Sequence, residues 1–300
     1  MMLPLRFAVL LPLLITAPAS AEEPAPAPTP EATAPAPEVA APEPVDLSPA
    51  TVNAATFDGT PLPAEGRSDI VLKVQVLLDR AGLSPGVIDG VMGGNVSKAI
   101  TAAEFIAGLP QDGILDADVW AILQPLGGAP VLAAYRIAPE DLAGPFIPDL
   151  PKDYAELAKL PASAYRTPAE MFAERFHMDE DLLRALNPGA DFGAPGTEIV
   201  VTDPGPPKDG VAVATLIADK GRRQLLGYDA ANRLVVSYPA TIGSEENPSP
   251  SGTHLVNAIA PRAAYYYRPD VNFQQGSNKD PLTIPPGPNN PVGTTWIDLT

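Results

Sequence analysis

Cysteine is absent from all 300 residues. Disulfides are therefore excluded, as are a thiolate nucleophile, a thiolate-bound metal and a lipid anchor on a leader cysteine. Histidine occurs only at His177 and His254, without metal-ligand spacing, so no metal is expected. No serine sits in a G-x-S-x-G elbow, and no glycine loop of the phosphate-binding kind appears, so no cofactor is expected. Positive charge is also scarce, with 19 Lys and Arg against 36 Asp and Glu, a net charge of −17. Such a surface repels phosphate backbones, which excludes nucleic acid as a partner and leaves no evident cationic patch. Beyond the first residues no apolar run approaches the roughly 18 residues of a membrane span, so no transmembrane helix is expected.

What is present is proline, 39 residues, with 24 glycines and 45% hydrophobic residues. That composition supports real cores joined by irregular, proline-rich segments. The length suits about two domains at roughly 150 residues each. Residues 1–21 read as a secretory leader: Arg6, an apolar stretch over 7–15, and the small residues Ala19-Ser20-Ala21. Export to the periplasm follows as an expectation. Residues 22–60 read as a Pro/Ala-rich disordered linker, either a spacer or a binding arm, with order beginning near Ser68.

Ile70, Val74, Leu77 and Ala81 recur at helical spacing, with Ser68 as N-cap and Gly82 just past the end. After the loop G-V-I-D-G-V-M-G-G, a second helix is expected from Asn95 as cap, burying Val96, Ile100, Ala103 and Ala107. A third short helix covers D-V-W-A-I-L. The motif set Val74-Gln75, Leu77-Leu78, Asp89-Gly90, Gly108-Leu109, Asp112-Gly113 and Trp120 to Leu123 resembles the type-1 peptidoglycan-binding domain. The resemblance implies a small three-helix domain over 61–126, with Gln75, Asp89 and Trp120 contributing to peptidoglycan binding. Trp120 reads as a core residue in preference to a glycan platform. The match departs at Ala103-Glu104, where the family has Phe-Gln.

Residues 127–160 read as a connector with one short helix near 153–159. Thr167, Pro168 and Glu170 then make a helix start, and a second helix from Asp179 stops at Asn187-Pro188-Gly189 before a strand. Helix, turn, helix, Asn-Pro and strand resemble a LysM glycan-binding module over 161–205, of βααβ type, although its opening strand is not recognisable. That resemblance implies Asn187 as a further peptidoglycan-binding residue. His177, between the two helices, reads as a surface or capping residue.

From Val211 the hydrophobic period becomes two, and a meander is expected with turns at Asp219-Lys220-Gly221 and at 230–232. Tyr265, Tyr266 and Tyr267 form an aromatic run that either lines a cleft or packs an insertion. The stretch P-P-G-P-N-N-P-V-G then predicts a stiff, solvent-facing loop leading into a strand with Thr295, Ile297 and Leu299 on one face. With the Pro250-Ser251-Gly252 turn, this text resembles the YkuD domain of L,D-transpeptidases. The resemblance implies a mostly-β catalytic domain over 211–300, with the nucleophilic Cys and its His expected beyond Thr300. The chain as a whole thus reads as multidomain α+β, the amino-terminal part of an enzyme that makes 3→3 cross-links in peptidoglycan, and inactive as it stands. A non-catalytic peptidoglycan-binding protein is the competing reading, and a proline-armed scaffold a third. Two corollaries follow: wall binding with little salt dependence, and protease sensitivity over 211–300 while the helical module survives.

Overall fold

The computed structural model describes residues 47–300 except 209, 246, 247 and 272. The leader and most of the Pro/Ala-rich arm lie outside the described residues. The described residues belong to one compact unit.

Order begins earlier than expected. Helix α1, Pro49–Ala54, falls inside the stretch read as a linker. Ser48 Oγ accepts from the Thr51 amide while Thr51 Oγ1 accepts from the Ser48 amide, and Pro49 occupies the first turn, where its missing donor costs nothing. Six residues cannot hold a helix alone. Tertiary contact supplies the rest: Val52 is fully buried, and Asn53 donates to Leu132 O while its Oδ1 accepts the amides of Val131 and Leu132.

Helix α2, Asp69–Arg80, buries a broad apolar stripe and ends at Gly82, whose φ of +81° a side chain would resist. Helix α3, Gly94–Ala107, starts one residue before Asn95 with Gly93 as cap, so Asn95 lies in the first turn. It buries Val96, Ile100 and Ala103, while Ala107 is exposed. Helix α4, Ala117–Leu123, is capped by the Asp116 carboxylate and continues as a 3-10 turn, Gln124–Gly128.

The expected connector contains a strand. β1, Leu132–Arg136, pairs antiparallel with β2, Glu198–Thr202, in register from Leu132 opposite Thr202 to Arg136 opposite Glu198. Between them lie α5, Tyr154–Leu157, α6, Pro168–Arg175, and α7, Glu180–Leu186. Thr167 and Asp179 cap α6 and α7 as the sequence implies. Omitting the insertion that carries α5, the order is strand, helix, helix, strand, with the opening strand some thirty residues upstream of α6.

The meander forms: β3, Thr215–Asp219, β4, Gln224–Tyr228, and β5, Leu234–Pro239, pair in order, with Asn232 at φ +58° in the second turn. It does not stand apart from the helices. Leu226 and Leu234 belong to the same apolar cluster as Leu77, Leu123, Phe172 and Leu182. The Ser84 amide donates to Ser237 O and the Ser237 amide to Gly82 O. β4 and β5 are therefore tied into the helical core.

The remaining strands make two separate pairs, not a continuation of the meander. β7, Tyr265–Tyr267, pairs with β8, Leu282–Ile284, and the tyrosines build a second core in which Tyr267 is fully buried with Tyr154 and Phe273 around it. Packing thus accounts for two of the three tyrosines, and Tyr266 alone is exposed. β6, Val256–Pro261, pairs with β9, Thr295–Leu299, and both strands are exposed throughout. The proline-rich loop before β9 is docked instead of facing solvent. Ser163 donates to Pro286 O from its amide and to Pro285 O from its hydroxyl, and it accepts from the Asn289 amide. Asn289 Nδ2 reaches Ala164 O and Glu170 Oε1.

Candidate binding groove beside Trp120

An open groove of about 440 Å3 lies between the end of α1 and the α4 region. Ala54, Ala55 and Thr56 form one wall, Gln124, Pro125 and the Gly127-Gly128 backbone the other, and Lys73 and Trp120 the floor. Lys73 Nζ donates to Asn53 O at 2.7 Å and Ala55 O at 2.6 Å, and it stands 6.0 Å from the centre of the Trp120 ring. Burial pulls the Lys73 pKa below the ordinary lysine value. Its ammonium has one proton left over for a ligand. An aromatic edge, a partly desolvated cation, the Thr56 hydroxyl and the Gln124 amide suit a ligand with an apolar face and carbonyl or hydroxyl acceptors.

The structure places the sequence-derived candidates differently. Gln75 is 1% exposed. Its Nε2 donates to Asp89 Oδ1 and Val91 O, and its Oε1 accepts the amides of Asp89 and Gly90. Asp89 Oδ1 also accepts the Val91 amide. Gln75 and Asp89 therefore work together, as the staple of the 83–91 loop, and Gln75 has no bonding capacity left for a ligand. Asn187 is likewise engaged: Nδ2 donates to Leu183 O and Val200 O, and Oδ1 accepts the Val200 amide, locking α7 to β2. The polar groups of Gln75 and Asn187 are thus engaged within the fold, away from the groove. Trp120 is mostly core, at 9% exposed, yet its remaining edge faces the groove. Only Trp120 of the four lines the cavity.

Glu104, where the family has Gln, is buried and accepts the Gly113 amide at 3.0 Å. Burial and the nearby Asp112 carboxylate push its pKa up, and the Gly113 bond only partly offsets them. His177 closes α6 at φ +57° and pairs through Nδ1 with Asp79 Oδ2 at 2.8 Å, which raises its pKa. It is an inter-helix tie. His254 Nδ1 lies 2.7 Å from Thr300 O, with the imidazole donating. Among the described residues no group of three His, Asp or Glu is placed to hold a metal ion.

Sequence reasoning missed Lys73 and the whole α1 wall. The signal available was Ser48-Pro49 followed by Thr51 and Val52, a cap with one apolar anchor, hidden in text dominated by proline and alanine.

Residues 67–123 match the family model of a peptidoglycan binding domain, the stretch folded as α2 to α4 with their loops. A search of curated proteins finds no match. The chain therefore carries a type-1 peptidoglycan-binding domain, which gives it a peptidoglycan-associated role. Among the described residues no helix is long and apolar enough to cross a membrane.

Proposed function

We propose that this peptidoglycan-binding domain holds the wall polymer in the groove beside Trp120, with α1 completing a site the family motif alone does not enclose. The observation that carries the reading is the family match over 67–123 coinciding with a groove floored by Lys73 and Trp120. The role is exercised outside the cytoplasm, consistent with the leader-like residues 1–21. The test is co-sedimentation of the chain with purified sacculi. Gly128 lines the groove and has open space where a β-carbon would go, so Gly128→Phe is expected to obstruct the groove without disturbing the core. Retention that falls to the level of serum albumin in this variant supports the site. Equal retention of variant and parent overturns it.

The strand–helix–helix–strand unit β1, α6, α7, β2 is the part that resembles LysM, and a second glycan contact there belongs to the same reading. Resemblance to the YkuD domain adds the chemistry. In an L,D-transpeptidase a thiolate attacks the carbonyl of the third stem residue, D-alanine leaves, and the acyl group passes to an amine of a neighbouring stem. These 300 residues hold no cysteine, so that activity requires a chain that also bears Ser-His-Gly-Cys. The second reading is a binding protein without chemistry, and the peptidoglycan-binding match over 67–123 supports it without any further domain. D-alanine release from purified tetrapeptide stems by a chain extended with that segment, and none by the 300 residues, is the outcome the enzyme reading requires.

A further inference from the structure

A second cavity, of about 340 Å3, lies where α3 and the loop after it meet the β3–β4 turn. Lys98, Thr101, Gln111, Arg222, Arg223 and Gln224 line it, and among the described residues no carboxylate does. In a chain with nearly twice as many acids as bases, three cations around one hollow are out of proportion. They are also poorly neutralised. Lys98 Nζ meets the Asn95 amide oxygen at 3.3 Å, and Arg222 stands 3.7 Å from Asp219. The Arg223 guanidinium has no hydrogen-bond or ion-pair partner among the described residues. The turn that presents it is nevertheless held in place. Asp219 Oδ1 accepts the Arg222 amide, Arg223 O accepts the Ala240 amide, and buried Gln224 bonds to Ser237 Oγ. Concave, like-charged walls focus a field that a bound anion relieves.

We propose that this cleft binds a carboxylate of the peptidoglycan stem peptide, bridging α3 and the β3–β4 turn. The proposal rests on the wall-binding reading above and deepens it. N-acetylated glycan is neutral, so the anionic part of the polymer is its peptide. Guanidinium forks fit a carboxylate in two-point fashion. Gln111 adds an exposed amide for the peptide backbone, and Thr101 Oγ1, already donating to Ser97 O, is left as an acceptor. The Trp120 groove differs, since two protons of its one cation are taken by the carbonyls of Asn53 and Ala55 at the end of α1. The polymer thus meets two subsites, one aromatic and one cationic.

The full chain is titrated calorimetrically with a disaccharide tetrapeptide, and with the same muropeptide after its carboxylates are converted to amides. The acid form is expected to bind, with amidation or the double replacement Lys98→Gln with Arg223→Gln weakening it roughly tenfold, the loss of one charge-assisted contact. In place of the weak salt dependence that the sequence implies, added salt is expected to weaken the parent more than the variant. Both replaced side chains lie at the surface of the cleft, and an unchanged thermal midpoint verifies folding. Equal affinity for acid and amide forms, or no effect of the double replacement, overturns the proposal. Binding of inorganic phosphate without muropeptide binding also overturns it, since the anion recognised would then not be a stem. Sacculus retention of the parent is scored separately. Retention without muropeptide titration at the cleft sinks this proposal and leaves the Trp120 groove standing. Muropeptide titration at the cleft without retention sinks the groove alone.

Discussion

A β-carbon on Gly287 would stand 2.2 Å from the carbonyl oxygen of Ser163 and 2.6 Å from its carbonyl carbon. The two backbones touch because Ser163 is fully buried beneath the 285–289 loop and bonds to it three times. Gly287→Ala must push them apart, at roughly 1–3 kcal/mol by the usual cost of overpacking. Hydrogen exchange is the readout: the Asn289 amide, now donating to Ser163 O, should lose protection while amides of α2 keep theirs.

Arg80 gathers a larger set of partners. Its guanidinium, 7% exposed, donates to Asp203 O, Leu126 O, Ala129 O and Pro130 O and lies 3.2 Å from Asp203 Oδ2. It ties α2 to both chain segments that flank the β1–β2 unit. Arg80→Met should cost about 3 kcal/mol, because carbonyls and a carboxylate lose their donor at a buried site. Arg80→Lys should recover little of it, a single ammonium being unable to span four carbonyls. Urea denaturation of the three proteins measures the order.

His177 makes stability pH-dependent. The hydrogen bond to Asp79, the largest influence, holds its folded pKa above the unfolded value near 6.5, and burial opposes this only in part. The folded state therefore binds the proton more tightly, so the contribution is complete below about pH 6.5 and disappears as pH rises through the folded pKa. His177 is half exposed, so solvent screening keeps the effect below about 1 kcal/mol. Asp79→Asn should flatten the pH dependence between pH 5.5 and 8.5. An unchanged slope would refute the tie.

Glu104→Gln should be neutral or stabilising at pH 7, by up to about 1 kcal/mol, since burial and Asp112 already disfavour the charged form. The Gln oxygen can still accept the Gly113 amide, and its amide can donate to Asp112. A raised carboxylate pKa means that parent stability declines as pH rises through the window just above 4.5. The variant should lack that decline in thermal melts from pH 4 to 7. A loss of several kcal/mol at pH 7 would show that the carboxylate is needed.

The helices were legible where local chemistry and periodicity agree: the 70/74/77 stripe of α2, the Thr167 and Asp179 caps, and the turn at Asn232. Elements that depend on distant partners were not. Helix α1 exists because Val52 and Asn53 meet a core and a strand far along the chain, and nothing in Pro-Ala-Thr-Val-Asn-Ala announces that. Strand β1, Leu-Ala-Ala-Tyr-Arg, takes its identity from β2, more than sixty residues later. The 285–289 loop has the composition of a solvent-facing turn, and only Ser163 beneath it reveals the docking. At the groove, Trp120 was visible by motif, whereas Lys73 became a site residue only once α1 supplied two carbonyls. The cationic cleft was hidden for the same reason, its lysine and its arginines being remote in sequence.

The loop over 82–91 touches three neighbours at once: Gly82 and Ser84 bond to Ser237 in β5, Ile88 exchanges backbone bonds with His177 and Asp179, and Asp89 and Gly90 are held by Gln75. Grafting residues 67–123 onto another protein would sever the first two attachments and uncover Leu83 and Ile88, both now buried. The portable motif and the cooperative folding unit are thus of different sizes. An engineer borrowing this module for wall targeting would have to carry β5 and the α6–α7 junction with it, or redesign the loop to stand in water.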